Sequence, residues 1–261
     1  MTPADTARLD AITATFQQLD GWQARSAVRP EEPQKGSELH GDDTVFPRHR
    51  ISEMTRLSLT LSVEHMRFVR VVLDAKQLFP SAPLTTLRAA LVGAAQAVWV
   101  LSPDDRETRR SRGLCVIAEE YAELAKFYRE VDRLEPGKIP ASQWSWIDER
   151  TADLAAVRGP KPPSLNQTAM IGAALDAAFP NSPDKLNTGR LLWRQMSADA
   201  HVLGWAVSQR ASVRTPAAKG DDLSVLAAGG ALEHLADPFM CAYELARAGW
   251  SLFDRRCEAS D

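Results

Sequence analysis

Apolar residues recur at helical spacing along almost the whole chain. In the first segment, Leu9, Ile12, Phe16 and Leu19 follow one another at steps of three or four residues, which places them on one face of a helix. Sustained alternation of apolar and polar positions, the pattern of a half-buried strand, is nearly absent. The pattern therefore predicts an all-α chain with no sheet.

Proline, glycine and charged residues divide this pattern into about nine helices of one helical bundle. Ser52 and Ser102 are suited to cap two of them, with Pro103 at a first helical position and the acids of DDRE at the positive end of the helix dipole. The predicted helices cover about residues 4–26, 52–77, 84–101, 102–134, 142–157, 167–179, 187–211, 222–236 and 238–256.

The chain is predicted to divide near residue 50. Residues 1–50 read as an N-terminal helix followed by a mobile linker, because RPEEPQKGSELHGDDTVFP is rich in proline, glycine and aspartate. Residues 51–261 are predicted to form a single helical-bundle domain.

Composition narrows the classes of function. A formal net charge of −3 and an isoelectric point of about 6.0 exclude a uniformly basic nucleic-acid coat, so any nucleic-acid contact is expected to be local. The three cysteines, Cys115, Cys241 and Cys257, are widely spaced and support neither a disulfide framework nor a zinc ribbon.

The N-terminal residues lack the apolar core of a secretory signal, which together with the cysteine pattern predicts a cytoplasmic protein. The most apolar window, LRAALVGAAQAVWVL, is shorter than the roughly 20 residues of a membrane span and carries Arg88 and Gln96. We therefore expect a buried helix there and no membrane partner.

The run RQMSADAH, residues 194–201, carries the candidate chemistry. Arg194 and His201 are seven positions apart, close to two helical turns, with Ser197 between them and Arg190 one turn upstream. On a continuous helix the same stripe extends to Trp205 and Ser208. A polar stripe on a mostly apolar helix needs water, a partner or a ligand.

An arginine and a histidine held together are able to cleave a phosphodiester bond. The imidazole of His201 would remove the 2′-hydroxyl proton or protonate the leaving oxygen, and Arg194 would stabilise the charge that builds on the phosphate. This chemistry requires no metal ion or cofactor.

The motif resembles that of the HEPN superfamily of helical-bundle proteins, in which Arg-x4-6-His on a late helix forms metal-independent ribonucleases. LRAALVGAAQAVWVLSPDDRETRRSRGL, followed much later by LLWRQMSADAH, is also similar to bacterial HEPN-like proteins of unknown function. The likeness covers about residues 84–210. The matching residues are Arg88, Trp99, Trp193, Ser197 and His201.

The resemblance implies an endoribonuclease of a toxin or defence system that acts on RNA, with Arg194 and His201 catalytic and Ser197, Arg88 and Arg190 supporting. It also implies a homodimer in which two motifs face each other across the interface. Two positions depart from the family pattern: Val92 stands where a glutamate is expected, and Gln195 where active ribonucleases often have Asn or Asp.

Two other classes of function stay open. In a non-catalytic α-helical protein that binds a partner or an antitoxin, Arg194, Ser197 and His201 would form a buried structural network, and Arg88 would either join it or pair with an acid. In a metal-dependent DinB-like enzyme, His65, His201 and His234 would converge on an ion, although no H-x-x-x-H pair is present.

A second basic segment, RETRRSR, holds Arg106, Arg109, Arg110 and Arg112. These side chains spread around more than one helix face, so they are predicted to be solvated and salt-bridged to the acids of EEYAE and REVDR, with phosphate contact as the alternative. The tryptophans are predicted to anchor the core or an interface.

Overall fold

The structure of the protein is a computed structural model, and it describes residues 2–159, 163–215, 225–227 and 229–259. It confirms an all-α helical bundle. The helices are α1 (Pro3–Thr13), α2 (Phe16–Ser26), α3 (Glu38–Asp43), α4 (Ile51–Asp74), α5 (Ala82–Leu101), α6 (Arg106–Leu134), α7 (Ala141–Arg158), α8 (Gln167–Ala178), α9 (Pro183–Ala200), α10 (Gly204–Ser208) and α11 (Leu232–Cys257).

Helix α5 is the centre of the bundle. It packs against α4, α8, α9 and α11, and Leu87, Leu91 and Val98 are fully closed to solvent. In the described part of the chain it is the one helix long and apolar enough to cross a membrane by length and composition. In this fold that apolar surface is covered by neighbouring helices, as the sequence predicts.

Helices α4 and α5 approach almost backbone to backbone. A Cβ atom at Gly93 would lie 2.6 Å from the carbonyl oxygen of Ser58, so only glycine fits there. The serines lining this contact are satisfied: Ser62 Oγ donates to the carbonyl of Ala90 (2.7 Å), and Gln96 Nε2 donates to Ser58 Oγ (2.8 Å). The contact fixes α5, which carries Arg88 one turn earlier.

The N-terminal segment, residues 1–50, differs from its prediction. The first helix is broken at Ala14 and Thr15 into α1 and α2, and the predicted linker contains α3, whose Leu39 is fully buried. Helix α1 packs on α11, α2 on α4, and α3 on α4, α6 and α11. Buried apolar contacts therefore join these residues to the bundle. The proline and glycine content of the segment predicts a mobile linker and gives no sign of these contacts.

The predicted serine caps are also wrong. The side chain of Asp105 caps α6 by accepting from Thr108 N (2.8 Å), so the acids do lie at the helix start but the helix begins later than Ser102. Ser52 lies inside the first turn of α4, where its N–H donates to Asp43 Oδ1 (2.9 Å). The carboxylate of Asp43, nine residues earlier in the chain, therefore caps this N–H, and Glu53 accepts from the backbone N–H of Arg50 (3.3 Å) at the same helix start.

The C-terminal part shows three departures from the predicted helices. The helix predicted over 187–211 ends at Ala200, and α10 follows as a separate turn. Strands β1 (Ser212–Thr215) and β2 (Val225–Ala227) then pair as a short antiparallel hairpin added to the bundle. The helix predicted over 222–236 falls partly outside the described residues, and its end belongs to α11, which continues through Pro238 without a break.

Candidate functional site

An open cleft of about 610 Å³ lies where α5, α8, α9 and α10 meet. It collects most of the residues that the sequence singles out, and none of the residues lining it is acidic. The lining consists of Arg88, Asn166, Gln167, Thr168, Trp193, Arg194, Ser197, Ala198, His201, Leu203 and Trp205. A concave surface with cationic side chains and no carboxylate favours an anionic ligand.

Arg194 and His201 both line this cleft, and both are exposed. Neither side chain forms a hydrogen bond or an ion pair with any residue that the structure describes. The interpretation in which His201 is sealed against a neighbouring helix does not match this placement. As far as the described residues go, both side chains are therefore accessible to a ligand.

The end of α9 determines where His201 sits. His201 is the C-cap, and the next residue, Val202, adopts a left-handed backbone with φ of 56°. Leu203 N donates to the carbonyl of Ala198 (2.8 Å) and Val202 N to that of Asp199 (3.1 Å), which are the two bonds of a Schellman motif. Glycine usually occupies the position of Val202.

Because of this turn, the polar stripe does not continue beyond residue 201 in the way that the sequence predicts. Trp205 and Ser208 lie on α10 and not on a continuation of α9. The reversed chain places Leu203 and Trp205 at the edge of the cleft. Trp205 is 47% exposed, so about half of the side chain is accessible to a ligand.

Arg88 contacts the motif and not an acid. Its Nε donates to Ser197 Oγ (3.2 Å), and its guanidinium lies over the ring of Trp193, 4.7 Å from the centroid. A longer bond reaches Gln167 Oε1 (3.4 Å). Burial lowers the pKa of Arg88, although a guanidinium stays protonated in proteins. No carboxylate among the described residues pairs with it, so the interpretation as an acid partner is wrong.

The first turn of α8 forms one side of the cleft, and the sequence pattern did not predict this. Asn166 caps the helix by accepting from Ala169 N (2.9 Å), and Thr168 Oγ1 accepts from Trp193 Nε1 (3.3 Å). The unpaired N–H groups of a first turn carry partial positive charge. The Asn before an alanine-rich helix is the signal that could have placed this cap.

The acid within the motif is neutralised away from the cleft. Asp199 is buried, forms an ion pair with Arg210, and accepts from Ser81 Oγ (2.9 Å). These bonds attach the end of α9 to the start of α5 and to the residues after α10. The carboxylate therefore leaves the cationic character of the cleft intact.

Other predicted arginines lie elsewhere. Arg190 is exposed outside the cleft lining and pairs with Asp176 (3.2 Å). Arg109 is 1% exposed and pairs with Asp42, Arg110 donates to the carbonyl of Gly41 (2.7 Å), and Arg112 donates to that of Trp99 (2.7 Å). The prediction that these arginines pair with the acids of EEYAE and REVDR is wrong, because α3 and the end of α5 supply their partners.

The described residues hold no group of three His, Cys, Asp or Glu side chains placed to bind a metal ion. His65 on α4, His201 in the cleft and His234 on α11 are not brought together. The DinB-like alternative therefore gains no support from the geometry.

A smaller cavity of about 310 Å³ between α9 and α11 is mainly apolar. Its charged residues include Lys185 and Glu244, which pair with each other (2.7 Å) and so offer less to a ligand than the uncompensated cations of the cleft.

No family model matches the chain, and neither the curated proteins nor the solved structures include a match to it. The resemblance to HEPN-like proteins stays a prediction.

Proposed function

We propose that the cleft binds single-stranded RNA and cleaves its phosphodiester bonds without a metal ion, with Arg194 and His201 as the catalytic pair. The observation that carries the proposal is that both side chains are exposed in one open cleft with Arg88 and no lining carboxylate. A phosphate entering this cleft meets cations that no acid in the described part of the chain neutralises.

The proposed step is a transesterification within the RNA. The 2′-oxygen forms a bond to the adjacent phosphorus while the P–O5′ bond breaks, giving a 2′,3′-cyclic phosphate and a 5′-hydroxyl. The imidazole of His201 accepts the proton of the 2′-hydroxyl, and the leaving 5′-oxygen takes a proton from water. The hydroxide left behind then takes the proton from His201, which restores the imidazole. The guanidinium of Arg194 stabilises the charge on the non-bridging oxygens as it builds.

Other residues of the cleft supply binding and position. Arg88 is held by Ser197 and Trp193, so its guanidinium offers a fixed positive charge to a phosphate. The exposed ring of Trp205 offers a stacking face to a nucleobase. Stacking needs a base that is not paired in a duplex, which favours single-stranded RNA.

The test is RNA cleavage in EDTA. We expect purified protein to cleave a single-stranded RNA to 2′,3′-cyclic phosphate ends, and His201→Ala to lower the rate by at least about 100-fold. His40→Ala is the matched control, because His40 is an exposed histidine on α3 outside the cleft. Arg247→Ala, an exposed arginine on α11, is the control for Arg194→Ala.

Thermal melts followed by circular dichroism show whether each variant is folded. Equal cleavage by wild type and folded His201→Ala would reject the proposal, as would cleavage that requires a divalent ion.

A second candidate function is a non-catalytic interaction protein that binds a partner or an antitoxin. It is favoured by the apolar rim of the cleft, where Val202, Leu203 and Trp205 are 90%, 50% and 47% exposed. In that case the protein would neither bind nor cleave RNA, and Trp205→Ala would weaken partner binding.

A further inference from the structure

The outer face of α4 carries an exposed row of large apolar side chains. Leu57, Leu61, Phe68 and Val71 are 52%, 43%, 57% and 64% exposed. With Glu64 between them, their spacing is four, three, four and three residues. We call these five residues the α4 stripe. The opposite face of α4 is buried against the bundle, so this helix is apolar on two sides.

Single exposed apolar residues are common on protein surfaces, but a continuous row indicates an interaction surface. A repeat averaging 3.5 residues keeps one seam facing a neighbouring helix over several turns. Within the described residues, the neighbours of α4 contact its other faces. The spacing of the exposed apolar side chains therefore predicts that one more helix packs against this face of α4.

We propose that the α4 stripe binds the same stripe of a second copy, with the two α4 helices antiparallel about a two-fold axis between Glu64 and His65. In this register Leu61 meets Phe68 of the partner subunit, and Leu57 lies beside Val71 of the partner subunit and Val72 of the partner subunit. Glu64 meets His65 of the partner subunit. Each contact occurs twice, as a two-fold interface requires.

The charges on α4 favour a second copy of this chain as the partner, and they favour the antiparallel orientation of the two helices. A parallel pair would place each Glu64 against its own copy, whereas the antiparallel register pairs each carboxylate with an imidazole. The nearby Arg70 is already engaged by Asp20 (2.7 Å) and Asp74 (3.5 Å), and Thr60 by Ser26 (3.1 Å). A carboxylate in the middle of the stripe also disfavours burial of this face in lipid.

The size of the surface predicts a reversible dimer. Residues 57–72 span about 22 Å of helix, so a single helix pair is smaller than a permanent dimer interface. We therefore expect dissociation on the order of micromolar concentration.

The interface is separate from the cleft. No residue of the α4 stripe lines the cleft, so the proposed dimer does not depend on whether the cleft cleaves RNA. It differs from the arrangement that the HEPN resemblance implies, in which the motifs themselves face each other.

The first test is the oligomeric state by sedimentation velocity from about 1 to about 100 µM. We expect wild type to shift reversibly from monomer to dimer, and the double variant Leu61→Glu, Phe68→Glu to stay monomeric. The controls are Phe127→Glu and Leu191→Glu, which are 61% and 66% exposed but lie outside the stripe. A monomeric wild type at the highest concentration would overturn the proposal, as would equal loss of dimer in the controls.

The second test reads the register through a disulfide. Glu64→Cys lies next to the proposed axis, so mild oxidation should link two copies, whereas Leu57→Cys should remain unlinked because its two copies would lie far apart. Wild type treated with the same oxidant shows how much linking comes from the three native cysteines. Linking of Leu57→Cys as fast as Glu64→Cys would show a parallel pair and reject the antiparallel interface.

Discussion

Asp42 on α3 and Arg109 on α6 form an ion pair that is closed to solvent. Arg109 Nε donates to Asp42 Oδ2 at 2.8 Å, and the two side chains are 1% and 0% exposed. Arg109 also donates to the carbonyls of Pro103 (3.1 Å) and Asp104 (2.8 Å), so it joins α3 to the segment that starts α6.

Asp42→Ala should destabilise the fold strongly. Removing Asp42 leaves a buried guanidinium without its nearest counter-charge, because the other carboxylate, Glu38 Oε1, lies 3.6 Å from Arg109. Breaking a buried pair in this way costs about 3 kcal/mol of unfolding free energy in comparable pairs. Urea denaturation at pH 7 measures the loss. Glu123→Ala is the control, because Glu123 pairs with Lys126 on the exposed surface of α6, where solvent screens the pair, and the loss should be far smaller. Similar losses in the two variants would contradict a buried ionic anchor between α3 and α6.

This pair shows which part of the fold the sequence does not reveal. The spacing of apolar residues predicts the bounds of α4, α5 and α8 to within a few residues. Each of these helices buries one face, and the apolar residues of that face recur at the helical period. Asp42 and Arg109 sit in segments that read as a polar linker and a solvated basic helix. Only the folded chain brings them together, and nothing in the local sequence marks either charge as buried.

The candidate site was predicted in part for a related reason. Arg194, Ser197 and His201 do share a face, because α9 continues almost to the end of the motif. Val202 stands where a glycine usually marks the end of a helix, so the pattern predicts a helix that continues to residue 211, with Trp205 and Ser208 on its polar stripe. Arg88 and the first turn of α8 reach the cleft through tertiary packing, which no spacing rule encodes.

Val202→Gly should stabilise the protein. A β-branched residue in the left-handed region carries strain on the order of 1–2 kcal/mol, which glycine relieves, although glycine also loses more backbone entropy on folding. The net gain is expected to be about 1 kcal/mol by urea denaturation. Lys76→Gly is the matched comparison, since Lys76 has a similar φ of 54° but an unbranched side chain, and should gain less. A loss of stability in Val202→Gly would show that the Val202 side chain contributes more than its backbone strain costs.

His49 is expected to make the stability of the fold depend on pH. Its Nε2 lies 3.6 Å from Glu120 Oε2, and its ring lies 5.7 Å from that of Tyr121. Burial lowers the pKa of His49 below its ordinary value of 6.5, with Arg150 acting in the same direction and Glu53 opposing. The folded protein therefore binds a proton at His49 less readily than the unfolded chain does.

The sign of the effect follows from this difference. Between the folded pKa of His49 and 6.5 the unfolded chain holds more protons, so the contribution of His49 to stability is present above pH 6.5 and is lost as the pH falls through that window. Glu120 acts in the opposite sense, because burial raises its pKa and its contribution weakens as the pH rises. Comparing Glu120→Gln with Glu120→Gln, His49→Gln isolates the histidine. The unfolding free energy of the first should fall from pH 7.5 to pH 5.5 more steeply than that of the second, and parallel curves would show that His49 titrates alike in the folded and unfolded chains.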